Sequence, residues 1–251
     1  MKNKGQRFFN LISGAPCMPP ANFVNESRTE ATIYVYDEIS WWGCGAEWFV
    51  GLLNSMLDVN QIHVRVNSPG GDIFDARAMQ IAMAEHPAFI TVHIDGLAAS
   101  AASFFIRGAN KRVISDGGFI MIHQAQSGIW GQAQELISRG QALEKIDASI
   151  IHHYAKATGL DEDQIREWVQ KETWFDSAEA MEHGFVDEVV EAAPVENRFD
   201  LAAVYKNVPE KVANWKAGNK AQDPDPEKTT TDFDMEAEAR ERDLAMAEIY
   251  L

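Results

Sequence analysis

Cysteine is scarce: the 251 residues hold only Cys17 and Cys44. Two cysteines cannot build a disulfide framework, and no Cys-x-x-Cys or Cys/His cluster suggests zinc. A reducing compartment fits best. Positive charge is also scarce. Lys and Arg number 22 against 38 Asp and Glu, a formal net charge of −16. Such a chain repels phosphate backbones, so nucleic acid is not an expected partner. No apolar run approaches the roughly 20 residues of a membrane helix. Phe8-Phe9-Asn10-Leu11-Ile12 follows Lys2 and Lys4, but it is short and broken by Asn10, so export is not expected. Neither a GxxxxGK[ST] loop nor a GxGxxG turn occurs, so the chain has no ATPase of its own. The expectation is a cytoplasmic protein that avoids membranes and nucleic acid.

What is present reads as one core of roughly 180–200 residues with a tail. Residues 1–30 carry Pro16, Pro19 and Pro20 and form an irregular arm. Ala31 to Ile39 alternates and is rich in β-formers, which predicts a strand. Phe49, Leu52, Leu53, Met56 and Leu57 have helical spacing. Ile62, Val64 and Val66 predict a second strand, stopped by Asn67-Ser68-Pro69-Gly70-Gly71. A helix over 73–86 and a third strand at Ile90, Val92 and Ile94 follow, the strand ending at Asp95-Gly96. Phe104 and Phe105 open an apolar helix. Val113-Ile114 and Phe119 to Ile122 are a β pair split by the turn Asp116-Gly117-Gly118. The longest helical pattern covers 130–157, closed by Gly159, and shorter helices are predicted near 161–171 and 177–183. This order implies an α/β fold with a mostly parallel sheet and flanking helices. Beyond Val204 the composition shifts. Segment 219–251 holds ten acidic and four basic residues, so 205–251 reads as a flexible acidic tail, with a short helix at 234–249.

Two small-residue turns follow strands and precede helices, where the ligand crevice of an open α/β sheet lies. Ser100 sits in one of them, exposed among small neighbours. It suits a nucleophile at a strand-to-helix turn, though spacing alone favours a helix N-cap. His123 ends an apolar strand and can face the same crevice as a general base, or serve as a hydrogen-bonded core histidine. Gly70-Gly71 can offer two bare amides to an oxyanion, or be a plain turn. Ser103 reads as an ordinary helix residue.

Taken together these residues carry a resemblance. Asn67-Ser68-Pro69-Gly70-Gly71, Gly96-Leu97-Ala98-Ala99-Ser100-Ala101 and Met121-Ile122-His123-Gln124 look like the signature blocks of ClpP, the proteolytic subunit of the Clp protease. Ser177-Ala178-Glu179-Ala180 through Gly184-Phe185-Val186-Asp187 is similar to that family's closing segment. The resemblance covers about 30–190. It implies a ClpP/crotonase-like fold over 31–204, with 130–157 as a protruding handle helix. It implies Ser100 as nucleophile and His123 as general base. The amides of Gly71 and Ala101 match the oxyanion donors, and Gly70 and Gly71 open the substrate-binding strand. No cofactor and no metal are implied. Alignment on Phe175 and Ser177-Ala178 puts Thr173 where the family has its triad aspartate. A threonine hydroxyl or a backbone carbonyl would then orient the imidazole. Asp176 is out of register and, with Glu179, reads as a capping-box pair.

The function implied is a serine endopeptidase that cleaves polypeptides through an acyl-enzyme inside a self-assembled chamber of two stacked heptameric rings. A separate AAA+ unfoldase would feed it. The tail and the Thr-Trp-Phe variant look more like the phage head-maturation branch, whose substrates are scaffold and capsid proteins inside a procapsid. Two alternatives stand beside this: a non-catalytic ring or scaffold subunit, and a crotonase-type acyl-CoA enzyme.

Overall fold

Strand β1 (Glu30–Val35) feeds helix α1 (Ala46–Asn54), β2 (Gln61–Ser68) feeds α2 (Ile73–Glu85), and β3 (Phe89–Ala99) runs into the short α3 (Ala101–Phe105). Then come β4 (Lys111–Ser115), β5 (Phe119–Ile122), α4 (Ala133–Thr158), α5 (Glu162–Lys171), β6 (Thr173–Asp176), α6 (Ser177–Glu182), β7 (Glu188–Val190) and α7 (Glu210–Ala213). These elements belong to a computed structural model that describes residues 29–191 and 199–213. All but the last two residues of the expected arm, and the tail helix expected at 234–249, lie outside those residues.

The sheet is parallel throughout except where β5 meets β6. Its order is β1-β2-β3-β4-β7, with β5 and β6 as a branch. The α/β class implied by the element order is thus the observed one. The apolar alternation of β2 and β3 fills the core: Ile62, Val64, Val66, Ile90, Val92 and Ile94 are fully buried.

Two boundaries differ from expectation. Asp95-Gly96 was expected to end β3, yet the strand continues to Ala99. The dipeptide marks a fork instead. Thr91 to Ile94 pair with β4, and Leu97 to Ala99 pair with β5. Asp95 is held at the fork by the Arg65 guanidinium, Nε to Oδ2 at 2.9 Å. For the same reason β4 and β5 do not pair with one another; both lie against β3. The second difference is at the tail. Tyr205 and Val212, beyond the expected domain end at Val204, are buried with Leu201 against Leu97, Ala99, Phe119 and Met121.

Helix α4 starts at a capping box, Gln132 N–H donating to Glu135 Oε2 at 2.8 Å. It ends at Gly159, whose φ of 76° allows the left-handed turn. Its C-terminal half buries Ile150, Ile151 and Tyr154, while Leu136 and Ile137 near its start stay exposed. Cys44 is buried.

Candidate active site

The fork in the sheet builds the site. Because β5 runs parallel to the last residues of β3, with Ala99 opposite Met121, the residues after each strand emerge side by side. Ser100 N–H donates to Met121 O at 2.8 Å, locking that junction. Ser100 then turns sharply into α3 with φ 53° and ψ −123°. A non-glycine residue held there costs about 1–3 kcal/mol. The turn is braced from α4: Tyr154 and Ser103 share a hydrogen bond at 2.7 Å, and Ser103 Oγ donates to Ser100 O at 2.6 Å. Ser103, read from sequence as an ordinary helix residue, is thus a brace. A hydroxyl at i+3 from the nucleophile was the only available signal.

Ser100 Oγ lies 2.7 Å from His123 Nε2. For Nε2 to accept the serine proton, Nδ1 must carry the ring hydrogen. Gln126 Nε2 stands 3.2 Å from Nδ1. Two donors cannot face each other, so the Gln126 amide must be turned to present its oxygen. Thr173 is not at the imidazole in the manner expected. Its hydroxyl donates to Trp168 O at 2.8 Å, and its backbone pairs with Ile122.

Burial dominates the electrostatics of His123 and pushes its pKa down to about 4; Glu172 opposes this and Lys206 reinforces it. The imidazole is therefore neutral, the form able to take a proton, at every pH above that value. A folded pKa below the ordinary 6.5 means that unfolding takes up a proton between the two. The neutral ring's contribution to stability is complete above pH 6.5 and is lost as pH falls towards 4.

Gly70 and Gly71 face the serine from the end of β2. Ile39 N–H donates to Gly70 O at 2.8 Å and Asp72 N–H donates to Ile39 O at 2.7 Å. In a parallel ladder this leaves the Gly71 N–H pointing away from Ile39. Ala101 opens α3, so its N–H has no partner within the helix. Asp72 caps α2, accepting from Phe74 N–H at 2.7 Å and Asp75 N–H at 3.1 Å, and so fixes the turn. Gly70, Gly71, Ser100, Ala101 and His123 all line one cleft of about 800 Å³. Apolar side chains, among them Trp41, Phe74, Leu143 and Ile146, supply much of its wall. Among the described residues no cluster of His, Cys, Asp and Glu is arranged to hold a metal ion. Asp176 caps α6 reciprocally with Glu179, at 2.9 and 3.0 Å.

Sequence comparison places this geometry in a family. Residues 23–193 match the model for Clp protease. The ATP-dependent Clp protease proteolytic subunit of Chlorella vulgaris is 31% identical over 183 residues, covering 71% of this chain and 90% of that protein. Proteolytic subunit 2 of Corynebacterium diphtheriae is 30% identical over 144 residues, covering 57% and 72%. A ClpP1 mutant from Listeria monocytogenes superposes with a TM-score of 0.58 at 24% identity, covering 64% of this chain and 91% of its own, which bears on the fold alone. The chain accordingly belongs to the Clp protease family and is a Clp-type serine peptidase.

Proposed function

We propose that the chain cleaves polypeptides through an acyl-enzyme formed on Ser100. The observation that carries this is the 2.7 Å contact between Ser100 Oγ and His123 Nε2 at the mouth of the apolar cleft. His123 takes the hydroxyl proton as Oγ bonds to the scissile carbonyl carbon. The N–H groups of Gly71 and Ala101 receive the oxyanion. His123 returns the proton to the leaving amine, and water then releases the acyl group by the same relay. Gly70 and Gly71 line the path of an extended substrate. Turnover of a short fluorogenic peptide tests the base: His123→Ala lowers kcat about 10⁴-fold or more, whereas unchanged turnover contradicts the role.

The pH profile follows from the burial of His123. The kcat/KM of the parent protein stays level down to about pH 5 and then falls with an apparent pKa near 4. A limb near the ordinary histidine value of 6.5 contradicts the buried, neutral ring.

Ring assembly is supported by the exposed apolar start of the handle. Trp130 is 99% exposed, and Leu136 and Ile137 are 44% and 53% exposed. Exposed apolar groups at the start of α4 and just before it suit a protein interface. In this reading two heptamers pair through α4 and enclose the cleft, in the cytoplasm, fed by an AAA+ unfoldase. The relatives named proteolytic subunits favour that assignment over capsid maturation inside a phage procapsid. Leu136→Glu with Ile137→Glu lowers the sedimentation coefficient to that of single rings or monomers; an unchanged particle contradicts the handle contact.

A further inference from the structure

Residues 199–213 lie past the end of the family match at residue 193, yet they pack into the cleft. Tyr205 donates to Pro69 O at 2.5 Å and stands edge-on to the His123 ring at 5.3 Å. Its hydroxyl also interacts with Ser100. The next two amides, those of Lys206 and Asn207, both donate to Glu172 Oε1 at 2.7 Å. Asn207 Nδ2 further donates to Lys171 O at 2.6 Å.

Glu172 is near enough for its charge to act on His123. The antiparallel pair ends where Ile122 faces Thr173, so His123 and Glu172 both leave the ladder at that same end. Thr173, paired with Ile122, shares that residue's face of the ladder, and its hydroxyl is engaged with Trp168 O. Glu172 is only 9% exposed and sits in the left-handed region at φ 54°. A buried carboxylate needs strong donors. Here two of them come from a segment outside the matched family core.

We propose that Glu172 is the carboxylate that orients His123, and that residues 205–207 hold it in reserve, so that displacing this segment completes the catalytic site. The inference rests on the serine-peptidase reading. With the segment displaced, Glu172 accepts a hydrogen bond from His123 Nδ1–H and Nε2 is fixed as the acceptor for Ser100. The Glu172 carboxylate then stabilises the imidazolium that forms when Oγ attacks. In the docked form that task falls to the exposed Gln126 amide, which carries no charge.

The test reads Ser100 acylation by a fluorophosphonate from about pH 4 to 9 in the full chain. Lys206→Pro with Asn207→Pro removes both N–H donors to Glu172. This pair is expected to raise the acylation rate at neutral pH tenfold or more, within the roughly 10⁴-fold span attached to a triad acid. The lower limb is expected to move up from about 4, because burial and the Lys206 charge hold it down while Glu172 draws it up. Adding Glu172→Gln is expected to cancel most of the gain and much of the shift, and Glu172→Asp to preserve part of both. The groups around His123 are Ser100, Glu172, Lys206 and Tyr205, with Glu38 acting on Tyr205. Glu38 lines the cleft and is itself pushed up to about 7 by burial and Asp37, so only a limb that responds to Glu172 counts. If the proline pair fails to fold, Tyr205→Ala withdraws the same anchor and carries the same expectation. A gain undiminished by Glu172→Gln, or no gain on withdrawing the segment, overturns this inference while leaving the labelled serine intact. Failure of Ser100 to label in any variant overturns the peptidase reading, and this inference with it.

Discussion

Ser100→Ala lowers kcat for peptide hydrolysis by about 10⁴–10⁶-fold and leaves the fold in place. The size of the effect follows from the absence of a substitute. Ser103, three residues on, is fully buried and its hydroxyl is engaged with Tyr154 and with the Ser100 carbonyl. The fold survives because only Oγ is removed. Ser100 N–H still donates to Met121 O, and Ser100 O still accepts from Ser103. The φ of 53° is borne by the backbone and is strained for alanine as for serine. Thermal unfolding should therefore move by no more than a few degrees. A kcat within tenfold of the parent would mean that the bond is broken elsewhere.

Gly70→Ala is expected to cost less turnover but more stability, by a different route. A Cβ on Gly70 would lie 2.5 Å from Ala99 O, 2.8 Å from Ser100 Cβ and 2.9 Å from Ala101 N. Each is a backbone or nucleophile atom, so no flexible side-chain end can yield. The φ of 93° adds strain that only glycine escapes. Relief requires moving the Gly70 turn away from α3, which separates the Gly71 and Ala101 amides. Loss of one oxyanion donor costs about 10²–10³-fold in kcat, and the clash should lower stability by a few kcal/mol. Gly117→Ala provides the contrast. Its φ is 82°, but a Cβ there meets nothing within 4 Å, so it should lose about 1 kcal/mol and keep its activity. Equal loss in the two variants, in activity as in stability, would show that the close packing of Gly70 is incidental.

Much of the fold was legible because it depends on long periodic segments. The alternation of Ile62, Val64 and Val66 and the stripe through Leu136, Ile146 and Ile150 state their periods directly. Short elements were not legible. Strand β6 has four residues and β7 three, and both exist because partners already in the sheet present an open edge. Asp95-Gly96 carried a turn signal that was overridden by a change of pairing partner. Ser100, His123, Gly70 and Gly71 could be nominated because chemistry and backbone freedom restrict such positions to few residue types. The third group at the imidazole could not be found this way. Alignment pointed to Thr173, whose hydroxyl is engaged with Trp168 O; the burial of Glu172 and its contacts with Lys206 and Asn207 depend on a segment far along the chain. Nor did composition betray Tyr205, since an acidic, proline-bearing stretch beyond Val204 resembles a tail until its few apolar residues find the ends of β3 and β5.

The most direct test of the account is intact and peptide mass spectrometry of the full-length protein after fluorophosphonate treatment, beside Ser100→Ala. A single adduct, mapped to Ser100 and absent from the variant, is the predicted result. No adduct on the assembled protein, or one on a different residue, would contradict it.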